Sequence, residues 1–447
     1  MHMGKYDKEY LKIAMPSAAE GIFMILLSSA DLIMVGTLGT KSIAAVSIFV
    51  QIKMILFCIA RSLATAIMVL TARKAGMGKT QEARDVLRQS FFVVVLFLSV
   101  IHVLFFLFIE KILWLAGADA VYLSRAVTYG KIALCAVFVS SISTVLQAAL
   151  MGFGKTGIVM KVNVTGNVMN VVMNGILILG IGPFPSLGVK GAGIAALTGT
   201  TVTFLYTAYA LRKGGILQEK GKWIPEKSYL KEFLPVFGGI FLEQGSERVG
   251  MVLYSRMAAG LGTVPFVVHS ICMNVCDIYY NFAQGMGKAS TVLASRSGGK
   301  KNREDWEGYV KSGIKISLIF SIISFLVCFF FRDTILGFYT RDKAVAEMGS
   351  VILIFVAAVS FPEAHAMICA GVLRGSGKTG QVALYSFISI TVIRPIFTAF
   401  LIYQMNMGVY GAWISLVLDQ IIRAVCSSIL LEKLLLKLKN SFNIKEE

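Results

Sequence analysis

The sequence carries one short signature twice, each time at the end of a long apolar stretch. Residues 152–157 read Gly-Phe-Gly-Lys-Thr-Gly and residues 375–380 read Gly-Ser-Gly-Lys-Thr-Gly, an offset of 223 positions. A second motif, Tyr-Leu-Lys-x-x-x-Pro, ends at Pro16 and recurs with slight slippage, ending at Pro235. Self-similarity at a fixed spacing indicates an internal duplication. The chain therefore consists of two homologous halves of about 220 residues each.

The composition places most of the chain in a membrane. Hydrophobic residues make up 56% of the 447 residues and charged residues only 15%, which is more apolar surface than a globule of this size can bury. Apolar runs long enough to span a bilayer predict about twelve membrane helices. These runs lie at roughly 13–36, 43–70, 91–110, 130–152, 159–182, 189–211, 233–256, 264–294, 312–331, 350–373, 381–405 and 409–431.

The even number of runs in each half sets the relation between the repeats. Both halves must enter the membrane from the same side, which predicts a parallel repeat related by an axis along the membrane normal. We therefore expect an all-α integral membrane protein with two pseudo-symmetric lobes of six helices. The amino-terminal lobe is expected at 1–215, a polar cytoplasmic linker at 216–228 and the carboxyl-terminal lobe at 229–447.

The positive charges predict the orientation. Most Lys and Arg residues fall at the amino end, in the loops after even-numbered spans and in the carboxyl tail. Because cytoplasmic loops retain positive charge, both termini are expected in the cytoplasm. The expected location is the plasma (bacterial inner) membrane. The net charge of +18 comes from these short juxtamembrane loops. Topology and anionic lipid headgroups explain it better than a nucleic-acid partner.

The Gly-Lys-Thr triplets at 154–156 and 377–379 do not predict nucleotide binding. A phosphate-binding loop needs another glycine five positions earlier, where this chain has Ala149 and Val372, and it follows a strand rather than a membrane helix. We interpret each triplet as a tight cytoplasmic turn whose glycines allow the bend. The sequence contains no hydrolase triad and no clustered metal ligands. It predicts neither an enzyme, nor a cofactor, nor a metal site.

Asp31 is the first candidate coupling residue. It lies fifteen residues after Pro16, about 22 Å along the first helix, with no opposite charge one turn away. An unpaired carboxyl in hydrocarbon is costly and favours its protonated form until water or a cation arrives. Neutralisation by a basic group elsewhere in the fold is the alternative.

Four asparagines form a stripe in the fifth span. Asn163, Asn167, Asn170 and Asn174 are spaced four, three and four residues apart, so all four share one helical face. Interhelical hydrogen bonding and the lining of a polar cavity are both open for Asn163 and Asn167. For the deeper Asn170 and Asn174, a cavity is the preferred interpretation.

The second half offers further carboxyl groups. Glu243 and Glu247 are one helical turn apart, so they repel each other and can share a proton or Na⁺ unless Arg248 neutralises Glu247. Glu363 follows Pro362, whose ring removes a helix hydrogen bond and leaves a carbonyl free. A carboxyl beside such a kink predicts a cation site.

Other acidic residues also fall inside apolar runs, namely Glu20, Asp277 and Asp419. Asp419 and Arg423 are spaced i, i+4 in the orientation that favours an ion pair within one helix. We therefore expect these two residues to pair with each other and to serve the structure.

Together these motifs resemble the multidrug and toxic compound extrusion (MATE) transporters over essentially the whole chain. The resemblance lies in the two six-span halves and in Gln147 with the turn 152–156, Asn170-x-x-x-Asn174 with Ile178-Leu-Gly, Leu187-Gly-Val-x-Gly-Ala, and Gly371-x-Leu-Arg-Gly-x-Gly. It implies two lobes around a central cavity and export of cationic drugs in exchange for H⁺ or Na⁺. It also implies membrane lipids as surroundings and a monomer.

The resemblance carries over to single residues. Asp31 matches the coupling aspartate of the DinF-type branch, Glu243 the span-7 glutamate of NorM-type and eukaryotic members, and Glu363 a span-10 acidic position. Asn174 departs from the pattern, because DinF-type members commonly have Asp there. Asn167, Asn170, Asn174 and Glu247 are then expected to support the cavity or the coupling. A single amino-lobe carboxyl suits a proton better than Na⁺.

One alternative function belongs to the same superfamily. A lipid-linked sugar flippase would have a similar pair of lobes, but with extra spans and a cationic central cavity for pyrophosphate. The mid-membrane groups of this chain lean acidic. Multidrug antiport is therefore the preferred interpretation, with H⁺ ahead of Na⁺ as the coupling ion.

Overall fold

The computed structural model describes residues 4–38, 40–180, 185–216 and 221–443, without the side chains of 25–26, 28–33, 36, 40–41, 43 and 438–443. All regular secondary structure in these residues is helical. The first half contains α1 Lys5–Gly36, α2 Thr40–Gly76, α3 Thr80–Leu107, α4 Ile109–Leu115, α5 Ala120–Gly152, α6 Thr156–Leu179 and α7 Gly188–Lys213. The second half contains α8 Lys227–Ala259, α9 Thr263–Lys300, α10 Arg303–Phe330, α11 Arg332–Tyr339, α12 Lys343–Gly375, α13 Thr379–Ser386, α14 Arg394–Ala399 and α15 Gly408–Asn443.

The long helices fit a membrane. In the described part of the chain, nine helical segments are long and apolar enough to cross a bilayer. Three more, α1, α8 and α9, have 32, 33 and 38 residues and occupy the positions of the remaining predicted spans. The all-α membrane fold predicted from the sequence is thus confirmed.

One span of the second half is irregular. Between α13 and α14, residues Phe387–Ile393 are π-helical, and Phe400–Gln404 form a second π-helical stretch after α14. Pro395 stands at the start of α14, where its missing N–H interrupts the regular hydrogen-bond ladder. The first π stretch changes the direction of the side chains around it, including that of Arg394.

Two compact units divide the chain, one formed by residues 19–237 and the other by 1–18 with 238–447. Both divisions fall inside helices, two residues after Pro16 in α1 and two residues after Pro235 in α8. The linker predicted at 216–228 lies wholly within the amino-terminal unit. The lobe boundaries predicted from the sequence stay a prediction.

The described end of the linker is tied to the start of α3. The backbone N–H of Glu226 donates to Gln89 Oε1 at 3.0 Å, and that of Lys222 donates to Asp85 Oδ1 at 3.2 Å. Trp223 packs edge-to-face on Phe91, with ring centroids 6.2 Å apart. Residues 221–226 are therefore held against α3 by hydrogen bonds and an aromatic contact.

The first turn of α1 belongs to the carboxyl-terminal unit. Lys315 Nζ donates to Asp7 Oδ2 at 2.7 Å, and the Tyr309 hydroxyl donates to Glu9 Oε2. The Lys315 hydrogen bond, followed by one from Ser312, lowers the pKa of Asp7. A lowered carboxyl pKa means that this contact contributes stability above the ordinary Asp range and loses it as the pH falls through the lowered pKa.

Glycines let α6 and α7 approach closely in the amino-terminal unit. A Cβ on Gly166 would lie 1.8 Å from Thr203 Oγ1 and 2.8 Å from the carbonyl oxygen of Gly199. Small residues at such crossings allow close backbone packing in membranes. This crossing lies beside the asparagines of α6, so it fixes their position against α7.

Gly166→Ala is expected to destabilise the protein by about 1–3 kcal/mol, because the added methyl overpacks the crossing. The matched control is Gly157→Ala on the same helix, where a Cβ meets no atom within 4 Å. That variant should be neutral or stabilising by up to about 1 kcal/mol, because alanine favours a helix over glycine. Thermal unfolding in detergent measures both. Equal midpoints for the two variants would contradict the close crossing.

The duplicated turns have the conformation predicted for them. Gly154 and Gly377 adopt φ values of +76° and +79°, in the left-handed region where glycine is unstrained. Each is followed by a lysine that precedes the next helix, α6 or α13. The interpretation as tight interhelical turns is confirmed.

Candidate functional site

The amino-terminal unit contains a chain of amides along α6. Asn174 Nδ2 donates to Asn170 Oδ1 at 3.3 Å, and Asn174 is buried. Asn167 Nδ2 donates to the carbonyl oxygen of Asn163 at 2.7 Å and contacts Met24 Sδ at 3.0 Å. The stripe thus joins α6 to α1 through its amino-terminal half, while Asn170 and Asn174 bind each other.

Asn163 connects the stripe to a carboxyl group. Its Nδ2 donates to Glu20 Oε1 at 2.7 Å and to Gln147 Oε1 at 3.1 Å. Gln147 Nε2 donates in return to Asn163 Oδ1 at 2.7 Å and to Thr207 Oγ1 at 3.3 Å. Residues of α1, α5, α6 and α7 therefore meet in one hydrogen-bonded group. The sequence pointed to Glu20, Gln147 and Asn163 but not to Thr207, and it could not place them together.

Asp31 lies within α1, and its side chain is outside the described residues. Its role with Asn170 and Asn174 therefore stays a prediction. The described residues add one observation to that prediction. Asn170 and Asn174 form an uncharged, hydrogen-bonded pair, and Asn174 stands where the family resemblance leads one to expect a second carboxyl.

In the carboxyl-terminal unit, Glu243 is paired with an arginine. Arg374 Nη1 donates to Glu243 Oε1 at 2.8 Å, and both side chains are largely buried, 15% and 7% exposed. Because the two residues are 131 positions apart, no local pattern indicates this pair. Glu243 thus lies against a guanidinium, whereas the sequence indicated only Glu247 as its neighbour.

Glu247 lies one turn further along α8 and binds a tyrosine. The hydroxyl of Tyr280 donates to Glu247 Oε1, and Gln284 Nε2 donates to the Tyr280 oxygen at 2.8 Å. Asp277 on α9 interacts electrostatically with both Arg248 and Glu247. The tyrosine hydrogen bond, which the sequence did not predict, holds Glu247 toward α9.

Glu363 on α12 is a buried carboxyl of this unit with which the described residues form no ion pair at close range. It is 3% exposed, and its Oε2 is buried with no hydrogen-bond partner among the described residues. Its electrostatic neighbours are, in decreasing order of effect, Arg423, Asp277, Arg394 and Glu247. A buried carboxyl oxygen without a donor is available for a proton or a cation.

Asp419 pairs across helices, and the predicted intrahelical pair with Arg423 is wrong. Arg394 Nε donates to Asp419 Oδ2 at 3.1 Å, Arg394 Nη2 donates to the same oxygen, and the Ser389 hydroxyl donates to Asp419 Oδ1. The π-helical stretch brings Ser389 and Arg394 to α15. Arg423 still interacts with Asp419 over a longer range and also with Glu247.

These contacts form one cluster with an excess of acid. It contains five carboxyl groups, those of Glu243, Glu247, Asp277, Glu363 and Asp419, and four guanidinium groups, those of Arg248, Arg374, Arg394 and Arg423. Fully ionised, the cluster has one negative charge more than positive. Uptake of one proton or one monovalent cation would make it neutral. The described residues contain no group of three or more His, Cys, Asp or Glu side chains arranged to hold a metal ion.

Comparison with known proteins extends over nearly the whole chain. The family model described as MatE matches residues 16–176 and 235–400. A probable multidrug resistance protein NorM of Thermotoga maritima is 25% identical over 425 residues, covering 93% of this chain and 90% of the relative. A protein of the same description from Bacillus subtilis is 23% identical, covering 92% of each chain.

Solved structures have the same fold. A MATE protein crystallised in complex with MaL6 superposes with a TM-score of 0.91 at 21% identity, covering 98% of both chains. An outward-facing multidrug resistance MATE family transporter of the MOP superfamily gives a TM-score of 0.88 at 22% identity, covering 98% of this chain and 97% of the other. The similarity thus spans both repeats.

Proposed function

Because this chain belongs to the MatE family, the multidrug and toxic compound extrusion transporters, we propose that it exports organic cations and related compounds in exchange for protons by alternating access. It is a multi-pass membrane protein of a transporter family rather than an enzyme. The proposal places it in the bacterial inner membrane with both termini in the cytoplasm, in line with the positions of its positive charges.

The observation that carries the proposal is the charged cluster of the carboxyl-terminal unit. Glu363 has a carboxyl oxygen without a donor among the described residues, within a group that has one carboxyl more than guanidinium. Charged side chains inside a membrane protein are retained where they serve ion or substrate pathways. A cluster with one negative charge more than positive supports exchange of a proton for a cationic substrate.

Transport in inverted membrane vesicles tests the proposal. Ethidium should accumulate in vesicles with an acidic interior, and collapse of the pH gradient with an ionophore should release it. Vesicles from cells without the protein provide the background. If neither a pH gradient nor a Na⁺ gradient moves ethidium, the proposal is overturned. Accumulation that follows only Na⁺ would retain the efflux function and replace the coupling ion.

The same experiment bears on the flippase alternative. A lipid-linked pyrophosphate needs cationic partners, whereas the carboxyl-terminal cluster has more carboxyls than guanidiniums. We therefore expect no translocation of a fluorescent lipid pyrophosphate in vesicles that transport ethidium.

Glu363→Gln is expected to reduce pH-driven ethidium transport by roughly tenfold, the scale of a coupling free energy between two sites. The amide keeps the size of the side chain but cannot take up a proton. Glu347→Gln is the control, because Glu347 lies on the same helix and is exposed. Unchanged transport by Glu363→Gln would show that the cluster serves only the structure.

Glu243→Gln should instead lower stability, since it leaves the mostly buried Arg374 without its carboxylate.

A further inference from the structure

A groove of the carboxyl-terminal unit lies between the first turn of α1 and the start of α10. Its volume is about 410 Å³, within the usual range of small-molecule sites. The ionisable side chains that line it are Tyr6, Asp7, Glu304, Glu307, Lys311 and Lys315. The proposed transport cycle uses none of these residues.

The groove is built by close contact of the two helices. A Cβ on Gly308 would lie 2.7 Å from the Tyr6 ring, so the glycine lets this ring lie against α10. The Tyr6 hydroxyl donates to Glu304 Oε1 at 3.4 Å, and Lys315 Nζ binds Asp7 Oδ2 at 2.7 Å. Contacts thus fasten α1 to both ends of the groove along α10.

The charges of the groove are only partly paired. Besides the pair just described, Arg303 Nε donates to Glu307 Oε1 at 2.6 Å. Lys311 and Glu304 form no ion pair within 4.0 Å with any other described residue. Both side chains are exposed. The groove therefore offers a ligand one cationic and one anionic group.

These two groups are ordered along the helix. Glu304 lies in the first turn of α10, and Lys311 lies seven residues further, about 10 Å deeper along the axis. Helical side chains lean toward the amino end, so the Lys311 ammonium approaches Glu304. A ligand that fits both must have its anion on the membrane side and its cation on the water side.

The face of α10 below the groove is apolar and exposed. One exposed stripe runs through Lys311, Lys315, Leu318, Ile322 and Leu326. Its spacing of four, three, four and four residues keeps these positions on one side of the helix. The three apolar members are 52%, 43% and 44% exposed, in a helix long and apolar enough to cross a bilayer. Lipid chains along this stripe would end at the groove.

We propose that the groove binds the headgroup of phosphatidylethanolamine from the leaflet predicted to be cytoplasmic. The phosphate lies against Lys311, the primary ammonium donates to Glu304, and the acyl chains follow Leu318 and Ile322. In this headgroup an ethyl group separates the ammonium from the phosphate, and the phosphate is nearer the chains. That order matches the order of the two charges along α10. The inference does not depend on the proposed function.

The same charges discriminate between lipids. Phosphatidylglycerol has a phosphate but no ammonium, so it leaves Glu304 without a cationic partner beside a second negative charge. Phosphatidylcholine has a trimethylated ammonium, which cannot donate a hydrogen bond to a carboxylate. We therefore expect both lipids to bind more weakly than phosphatidylethanolamine.

Lipid binding to purified, delipidated protein in detergent tests the inference. Native mass spectrometry should show phosphatidylethanolamine bound about tenfold more tightly than phosphatidylglycerol or phosphatidylcholine with the same chains, the effect of about one hydrogen bond to a charged group. Soluble glycerophosphoethanolamine, which has the headgroup but no chains, should displace the lipid only in large excess.

Two variants examine the two charges separately. Lys311→Gln should weaken binding of phosphatidylethanolamine about tenfold, because the phosphate loses its cation. Glu304→Gln should weaken phosphatidylethanolamine and strengthen phosphatidylglycerol, which removes the preference. Lys343→Gln and Glu347→Gln remove exposed charges of α12 in the same unit and should behave as wild type.

The remaining outcomes contradict the inference. Equal binding of the three lipids by the wild type would overturn it, as would an unchanged preference in both Lys311→Gln and Glu304→Gln. Tighter binding of phosphatidylglycerol would indicate a site for anionic lipids instead. Displacement by equimolar glycerophosphoethanolamine would indicate a soluble ligand. Since no drug is present, failure of the export proposal would leave this result unaffected.

Discussion

Replacing Asp419 with alanine is expected to cost about 3–5 kcal/mol of stability, the usual effect of removing one partner from a buried ion pair. Arg394 is 3% exposed and donates through two nitrogens to Asp419 Oδ2. Without that carboxylate, a guanidinium and the Ser389 hydroxyl lose their acceptor inside the membrane. Thermal unfolding of purified protein in detergent measures the loss.

Two further variants make this prediction specific. Lys315→Met removes the partly exposed member of the Asp7–Lys315 pair in the same unit and should cost at most about 1 kcal/mol. Replacing both buried partners, as Asp419→Leu with Arg394→Met, should recover much of the stability lost by the single variant. If Asp419→Ala were no less stable than Lys315→Met, the buried pair would not hold α15 to the π-helical span.

Asp31→Asn is expected to abolish pH-driven ethidium transport while the protein still folds. The argument is one of charge: an asparagine mimics a permanently protonated aspartate, so the proposed exchange of a proton for a cation has no ionised form to return to. Vesicle transport and a size-exclusion profile measure the two parts of the prediction. Full transport by Asp31→Asn would mean that the coupling ion binds elsewhere, with Glu363 and Glu243 the next groups to test.

Asn174→Asp is the counterpart of Asp31→Asn, because it adds a carboxyl where Asp31→Asn removes one. Dehydration of Na⁺ must be offset by anionic oxygens, and the wild type has a neutral asparagine pair where the family resemblance leads one to expect an acid. The variant should therefore respond to a Na⁺ gradient more strongly than the wild type does. A wild type already driven by Na⁺ alone would contradict the single-carboxyl argument.

The fold followed from the sequence because its signals are local and repeated. The duplicated turns, the lengths of the apolar runs and the even number per half need no knowledge of distant contacts, and the turn glycines have the backbone angles expected of them. Glu363 was identified in the same way, from the neighbouring Pro362.

The pairing of the charges did not follow from the sequence. The i, i+4 rule considers only partners on one helix, so it assigned Arg423 to Asp419, whereas a residue 25 positions away binds it. The Arg374–Glu243 pair is more distant still. Pro395, directly after Arg394, was the one available signal that this span is not a regular helix. Nothing in the sequence indicated that Glu20, Gln147 and Asn163 meet.

The π-helical span also has an evolutionary consequence. Shifted by 223 positions, the asparagine stripe of α6 corresponds to Ser386, Ile390, Ile393 and Phe397, so the second copy has no amide at these four positions. Its altered winding supports the Arg394–Asp419 pair instead. A regular helix turns by about 100° per residue. Deleting one residue from the π stretch would therefore rotate Arg394 by about that angle relative to the residues before the stretch and separate it from Asp419 on α15. The two copies can therefore no longer exchange this segment, and a chimaera carrying α6 in place of residues 379–404 should fail to fold.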